Sequence, residues 1–202
     1  MIGVILAGGQ GVRMGGDKPG APLLGKPLLQ WVVDAMQEVA SPLILAVAPG
    51  QELPPLTSRV PLFVGEDLLP HRGPLSGIYT GLSFANADHV LVAPCDAPLL
   101  RPALLRLLVE RRNGVDAVVP EAFGEPQPAI GVYARSCLPA LIEALNAADR
   151  SLRAFLSRIT VDLVPEGLVR EADPDLLSFR NANTREALTE IEAMLRRSAP
   201  VP

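Results

Sequence analysis

Residues 6–18 read "LAGGQGVRMGGDK" and follow directly on the apolar run "MIGVI" at 1–5. Five of these thirteen positions are glycine, while Arg13, Asp17 and Lys18 fall in the second half. The run Ile2 to Leu6 is apolar and rich in β-branched residues, the pattern of a strand buried on both faces. A strand that opens into glycines builds a cradle for phosphate, because backbone N–H groups can turn inward where no Cβ stands in the way. Arg13 and Lys18 then bring full positive charges, arginine as a planar fork. A plain surface loop is the alternative reading of the same letters.

Two phosphate motifs almost fit. The dinucleotide pattern needs a glycine three residues after Gly11 in "GQGVRM", where the chain has Met14. "GAPLLGKP" at 20–27 has P-loop spacing, but it ends in Pro27, which has no hydroxyl for a metal, and no clear strand precedes it. Gly25-Lys26-Pro27 therefore reads as a tight turn into a helix, with Lys26 solvated.

Outward from this stretch, apolar runs alternate with helical spacing. Strands are expected at 43–48, 59–65, 89–93, 115–120, 128–134 and 159–164. Pro61 interrupts the second of these and suits an edge position. Helices are expected over 28–39, 75–85, 101–112, 136–147 and 184–197, with a short one to Arg158 capped by Ser151. Pro27 and Pro102 suit first-turn positions. The fold class that follows is α/β, a three-layer αβα sandwich around a mostly parallel, Rossmann-like sheet. Residues 115–134 hold two strands with no helix between, which calls for at least one antiparallel strand. One domain over 1–197 is expected, with 198–202 as a frayed tail.

Bulk properties narrow the function. The chain has 202 residues, 49% of them hydrophobic and 20% charged, with a formal charge of −4. That composition belongs to a folded protein, and it lacks the basic surface a nucleic acid polymer requires. Cys95 and Cys137 lack metal-ligand spacing. No signal-type segment and no apolar run of roughly 20 residues is present, so a cytoplasmic protein with no membrane partner is expected.

Further chemistry-bearing residues lie in three other stretches. Asp96 in "VAPCDAPLL" (92–100) follows a strand, where it either caps a turn before Pro98 or holds a metal against phosphates. Asp67 in "GEDLLPHRGPLSGI" (65–78) is either a solvated loop acid or an acceptor for the N–H donors of a ligand, and Glu66 suits either part. "RGPLSG" (72–77) places small residues before a helix, as a simple helix entry or with amides facing a base or anion. In "FRNANTREAL" (179–188), Asn183 through Glu186 resembles a capping box, whereas Asn181 has no such local explanation. His71 and His89 lack partners at ligand spacing, and Cys95 reads as a packed residue without a base beside it.

These four stretches, in this order, resemble the nucleotidyltransferases of the nucleotide-diphospho-sugar transferase fold, and among them the molybdenum cofactor guanylyltransferases. The resemblance implies transfer of GMP from GTP to the terminal phosphate of Mo-molybdopterin, with Mg²⁺ as cofactor. It implies catalytic roles for Arg13, Lys18 and Asp96, with Asp96 holding the metal. It assigns nucleotide binding to Leu6, Ala7, Gly8, Gly9, Lys18, Asp67, Gly77 and Asp96, and acceptor binding to Asn181 and Asn183. Arg180 stands where the family pattern is often apolar, as an additional anion contact. Partners implied are GTP and Mo-molybdopterin, then molybdenum-insertion and client molybdoenzyme proteins. One departure is "LAVAPGQ" at 45–51, where relatives often carry an asparagine that touches the nucleotide. Alternatives of other substrate or class are cytidylyl transfer, sugar-phosphate nucleotidyl transfer, or a non-catalytic nucleotide-binding adaptor.

Overall fold

The computed structural model describes residues 1–8, 18–69 and 73–198. In chain order the elements are β1 (Ile2–Leu6), the short pair β2 (Pro22–Leu23) and β3 (Lys26–Pro27), α1 (Leu28–Met36), β4 (Leu43–Val47), β5 (Leu62–Glu66), α2 (Pro74–Phe84), β6 (His89–Pro94) and α3 (Pro102–Glu110). Then follow β7 (Ala117–Ala122), β8 (Glu125–Pro126), β9 (Gly131–Ala134), α4 (Leu138–Asn146), α5 (Leu152–Leu156), β10 (Val161–Val164), α6 (Glu166–Ala172) and α7 (Arg185–Ser198).

The main sheet runs β10-β7-β9-β6-β1-β4-β5, with β8 folded back on β7. β1 is central. It pairs in parallel with β4 (Gly3 opposite Leu43, Leu6 opposite Ala46) and with β6 (Ile2 opposite Val90, Leu6 opposite Pro94). That position explains its lack of polar residues, since a strand covered on both faces has nowhere to solvate one. β9 alone in this order runs against its neighbours, β6 and β7. The β7 to β9 connection holds a hairpin rather than a crossover helix, so the returning strand must be antiparallel. β5 lies at an edge, as Pro61 suggests, but the proline precedes the strand instead of interrupting it.

Alternation along the strands makes the three layers. Ile5, Leu43, Leu45, Leu91 and Val132 face a core completed by α1, α3 and α6. Val4, Leu6, Ile44, Val90 and Tyr133 face the opposite core, completed by α2, α4 and α5. α2 sits very close to the sheet. A Cβ at Gly81 would stand 2.6 Å from the Val4 methyls, and one at Gly77 would stand 2.7 Å from Leu6 Cδ2. A third cluster joins Leu23, Leu28 and Leu99 to Ala182 and Ile191, so α7 covers the β2–β3 hairpin.

Most expected elements are present, with three differences. The turn at Leu24-Gly25 has positive φ at both residues (51° and 76°), a two-residue hairpin turn of the primed kind. Pro27 consequently sits in β3 just before α1, and not in its first turn. Lys26 is paired rather than solvated: its Nζ lies 2.7 Å from Asp34 Oδ2 and 4.2 Å from the Trp31 ring centre. α6 is an additional helix, carrying a single buried residue, Val169. Among the described residues no helix is long and apolar enough to cross a membrane. The expected tail lies outside the described residues, apart from Ser198 at the end of α7.

Candidate active site

The parallel strands end on one edge of the sheet, and the segments that leave them there form a cavity of about 290 Å³. Leu6, Ala7 and Gly8 line it from the end of β1, Pro94, Cys95 and Asp96 from the end of β6. Lys18, Pro19, Gly73 and Pro74 close it from the sides. Its shape is fixed by backbone pairing. The N–H groups of Ala7 and Gly8 both donate to the Ala46 carbonyl (2.8 Å each), and Cys95 N–H donates to the Leu6 carbonyl (3.1 Å).

Two side chains on the wall of this cavity, Lys18 and Asp96, meet a third, Asn183, that is far from both in sequence. Lys18 Nζ is in direct ion-pair contact with Asp96 Oδ2 and lies 2.5 Å from Asn183 Oδ1. The connection between them is built into the backbone, because Ala182 N–H donates to the Asp96 carbonyl (2.8 Å). That bond brings the segment before α7 onto the end of β6. Further back, buried Asp173 accepts the N–H groups of Leu177 (3.1 Å) and Ser178 (2.8 Å), and Ser178 Oγ accepts from Arg101 N–H (2.9 Å). The turn that delivers Asn181 to Asn183 is thus anchored at both ends.

Asn183 does not cap α7. Thr184 Oγ1 accepts the Ala187 N–H (3.1 Å) and Leu188 N–H bonds the Thr184 carbonyl (3.0 Å), so Thr184 is the cap. The cap is displaced by one residue and, with Ala187 at its third helical position, no capping box forms; the Asn183 amide is left for Lys18. Asn181 is exposed on the same segment.

Asp96 is buried, and its Oδ1 has no hydrogen-bond partner among the described residues. A buried carboxylate oxygen left this way is costly unless a donor or cation meets it. One carboxylate oxygen of this kind suits a hard divalent ion that keeps most of its water and takes phosphate oxygens as further ligands. Among the described residues no cluster of three His, Cys, Asp or Glu side chains forms a closed metal cage.

Asp67 leaves β5 beside Gly8: its Oδ2 is 3.3 Å from where a Gly8 Cβ would stand. Its Oδ1 is also buried without a partner among the described residues. Burial pushes this carboxyl up from the ordinary 3.8, against the hydroxyls of Thr80 and Ser76, which favour the charged form. Glu66 instead faces the neighbouring turn, accepting the Gly50 N–H (3.2 Å). Gly77 lies in the body of α2 with its Cα against Leu6, and Gly73 and Pro74 are the α2-side residues that line the cavity. The close helix–sheet approach is a packing reason for glycine at position 77.

The segment "LAVAPGQ" carries a contact that its sequence did not announce. Gln51 Oε1 accepts Ala48 N–H and its Nε2 donates to the Ala7 carbonyl (3.0 Å each). A side chain thereby braces the exit of β1 from the neighbouring strand end. Cys95 is buried, and burial, with Asp96 beside it, pushes its thiol up to about 12, so it is a neutral packed group near pH 7. His89 starts β6 at the opposite edge, in a more open hollow of about 400 Å³. The groups there are already engaged: Asp116 accepts from Ser136 Oγ (2.5 Å) and Thr160 N–H (2.9 Å), and Arg135 donates to the Ala85 carbonyl (2.8 Å). Gly9, Arg13, Asp17 and His71 lie outside the described residues.

Known proteins resemble this chain over nearly its whole length. A molybdenum cofactor guanylyltransferase of Desulfosudis oleivorans is 31% identical, over 97% of this chain and 96% of its own length. A probable molybdenum cofactor guanylyltransferase of Bacillus licheniformis is 35% identical, over 95% and 96%. The crystal structure of molybdopterin-guanine dinucleotide biosynthesis protein A from Archaeoglobus fulgidus superposes with a TM-score of 0.81 at 26% identity, over 98% of this chain and 100% of that one. The family description "MobA-like NTP transferase domain" matches residues 3–163, the span from β1 into β10 that contains Gly8, Lys18, Asp67 and Asp96. With a family match over most of its length and near full-length relatives, the chain belongs to the MobA-like NTP transferases.

Proposed function

We propose that the protein transfers GMP from GTP to the terminal phosphate of Mo-molybdopterin, releasing pyrophosphate. The observation that carries this reading is the buried, unshared Oδ1 of Asp96 beside the Lys18 ammonium, both on the cavity at the end of β1 and β6. The names of the full-length relatives supply the nucleotide and the acceptor.

In this reading an acceptor phosphate oxygen bonds to the α-phosphorus of GTP. The bond from that phosphorus to its bridging oxygen breaks, and pyrophosphate leaves with the electron pair. The attacking phosphate is already anionic, so no strong general base is required. Catalysis is positioning and charge neutralisation. Leu6 to Gly9 border the triphosphate, with the brace from Gln51 holding Ala7 in place. Lys18 neutralises charge that builds on the α-phosphate, and Asn183 orients its ammonium. Arg13, assigned from the glycine-rich stretch, adds a second positive charge. Asp67 accepts from the N1–H and N2 amino groups of guanine, which gives its buried oxygen the donor it otherwise lacks. Asn181 and Asn183 lie toward the acceptor.

Asp96 would hold a divalent cation, Mg²⁺ by its preference for oxygen and phosphate ligands. When bound, that ion supplies Lewis-acid polarisation of phosphate oxygens and offsets charge on the leaving group. Asp96 keeps Oδ2 for Lys18 and has Oδ1 free for this purpose. Transfer of the product to molybdenum-insertion or client molybdoenzyme proteins, and a cytoplasmic setting, belong to the same proposal.

The test is pyrophosphate release by purified protein with Mg²⁺, GTP and Mo-molybdopterin, with mass detection of the guanine dinucleotide. Faster turnover with CTP than with GTP would reject guanylyl transfer. GTP binding without pyrophosphate would reject transfer altogether.

A further inference from the structure

The β7–β8 hairpin turns through Phe123-Gly124, with φ of 56° and 75°. A large aromatic side chain is an unsuitable residue there, because a primed turn favours Asn, Asp or Gly at its first position. Phe123 is also 55% exposed, so burial does not compensate. The tip is nevertheless held firmly: Gly124 N–H donates to Glu166 Oε2 (3.3 Å), and Glu166 pairs with Arg170 (2.8 Å). The turn at Leu24-Gly25 carries a large apolar residue in the same conformation, so what sets Phe123 apart is the guanidinium over its ring.

Arg180 supplies the other half. Its guanidinium carbon lies 5.7 Å from the Phe123 ring centre. It forms no ion pair with a carboxylate among the described residues. Arg180 precedes Asn181, and Ala182 beyond it bonds the Asp96 carbonyl, so Arg180 stands within two residues of the cavity wall. β7 is parallel to β6 through the antiparallel strand between them, which brings its hairpin to the same sheet edge as Asp96. A planar cation beside an aromatic face, with no carboxylate paired to it among the described residues, is a surface on which a flat ring can stack.

We propose that Phe123 and Arg180 form the binding wall for the ring-bearing part of the acceptor, with the guanidinium plane stacked on its heteroaromatic ring and pre-oriented by the phenyl group. This inference rests on the acceptor named under the proposed function. Phe123 acts by ordering the guanidinium, Arg180 by direct contact.

The test measures equilibrium binding of molybdopterin and of GTP separately, without turnover, in the full chain. Phe123→Asn removes the ring yet creates Asn-Gly, the preferred pair for this turn, so the hairpin is kept. Arg180→Gln removes the plane of charge. Each variant is expected to weaken molybdopterin binding about tenfold, a size in keeping with desolvated cation–π stacking. The double variant is expected to fall to the same level as either single one, because the two side chains act as a unit. Arg180→Lys, which keeps charge without the plane, should recover little of the loss. GTP binding should be unchanged in all four. Unaltered molybdopterin binding in either single variant, or an equal loss for GTP, overturns the inference while leaving the proposed reaction in place. Failure of the unmodified protein to bind molybdopterin overturns both.

Discussion

Lys18, Asp96 and Asn183 each have a residue-scale meaning that depends on the other two. Lys18 neutralises Asp96 in the free protein and substrate phosphate in the complex; Asn183 keeps its ammonium between these tasks. Replacing Lys18 or Asp96 by Ala is expected to lower pyrophosphate release by a factor of about 10² or more, in line with loss of one pre-oriented electrostatic group. Far-UV circular dichroism should be unchanged, since neither side chain belongs to the cores. Near-normal turnover in either variant would remove it from the mechanism. Asp67 illustrates the opposite balance. Its carboxyl is raised above the ordinary 3.8 chiefly by burial, so the folded state holds the proton more tightly than the unfolded chain. Stability is therefore greatest with Asp67 protonated and is lost as pH rises from about 3.8 through the raised value. Asp67→Asn removes that loss and should raise Tm at pH 7 by a few degrees, with the gain vanishing in acid. The same change should weaken GTP protection, because an amide presents only one acceptor to guanine. A variant less stable than the parent at pH 7 would contradict the sign.

At the scale of elements, what could be read from the letters depended on whether the cause was local. β1, β4, β6 and α3 are long apolar or amphipathic runs with clear boundaries, and they appear where their pattern puts them. Ser151 caps α5 through the Ala154 N–H as its sequence suggests. α6 has one buried residue in seven, so no periodicity betrays it. The cap of α7 shifts to Thr184 because Asn183 is drawn to a lysine 165 positions away. No window along the chain contains that partner, nor the one that Gln51 finds in Ala7. Lys18, Asp67 and Asp96 were legible because a motif names them, whereas Gln51 and Phe123 emerge only from geometry. α2 offers a quantitative check. Gly81→Ala would place a methyl 2.6 Å from Val4, forcing helix from sheet, and should cost about 1–3 kcal/mol, typical of overpacking. Gly167→Ala in α6 meets nothing within 4 Å and should be neutral or stabilising by up to about 1 kcal/mol through helix propensity. Chemical denaturation of both variants measures the contrast; equal effects would show that α2 does not need its glycines.

For the whole molecule, the third apolar cluster ties the two ends of the active site together. Leu23 and Leu28, which follow Lys18, pack with Leu99, which follows Asp96, under Ala182 and Ile191 from the C-terminal segment. Trp31 packs on this cluster, and its Nε1 donates to the Leu23 carbonyl (3.2 Å). It is the chain's single tryptophan, so tryptophan emission reports on this cluster and on the Lys26 ammonium over the ring. The arrangement implies that α7 acts on catalysis through position, by pressing the β2–β3 hairpin and the Asn183 segment against the strand ends. Ile191→Ala opens that contact without touching Lys18, Asp96 or Asn183. A loss of about 2–4 kcal/mol from the cluster is expected for a buried isoleucine truncated in this way. Because the two main cores do not include Ile191, the loss should appear first as a red shift of Trp31 emission at denaturant concentrations where far-UV circular dichroism is still native. Turnover should fall in step with that shift, and GTP should reverse part of it by binding only the form in which the cluster is packed. Coincident loss of tryptophan signal and secondary structure, with native turnover up to that point, would mean that α7 is simply part of one cooperative core and does not set the geometry of the site.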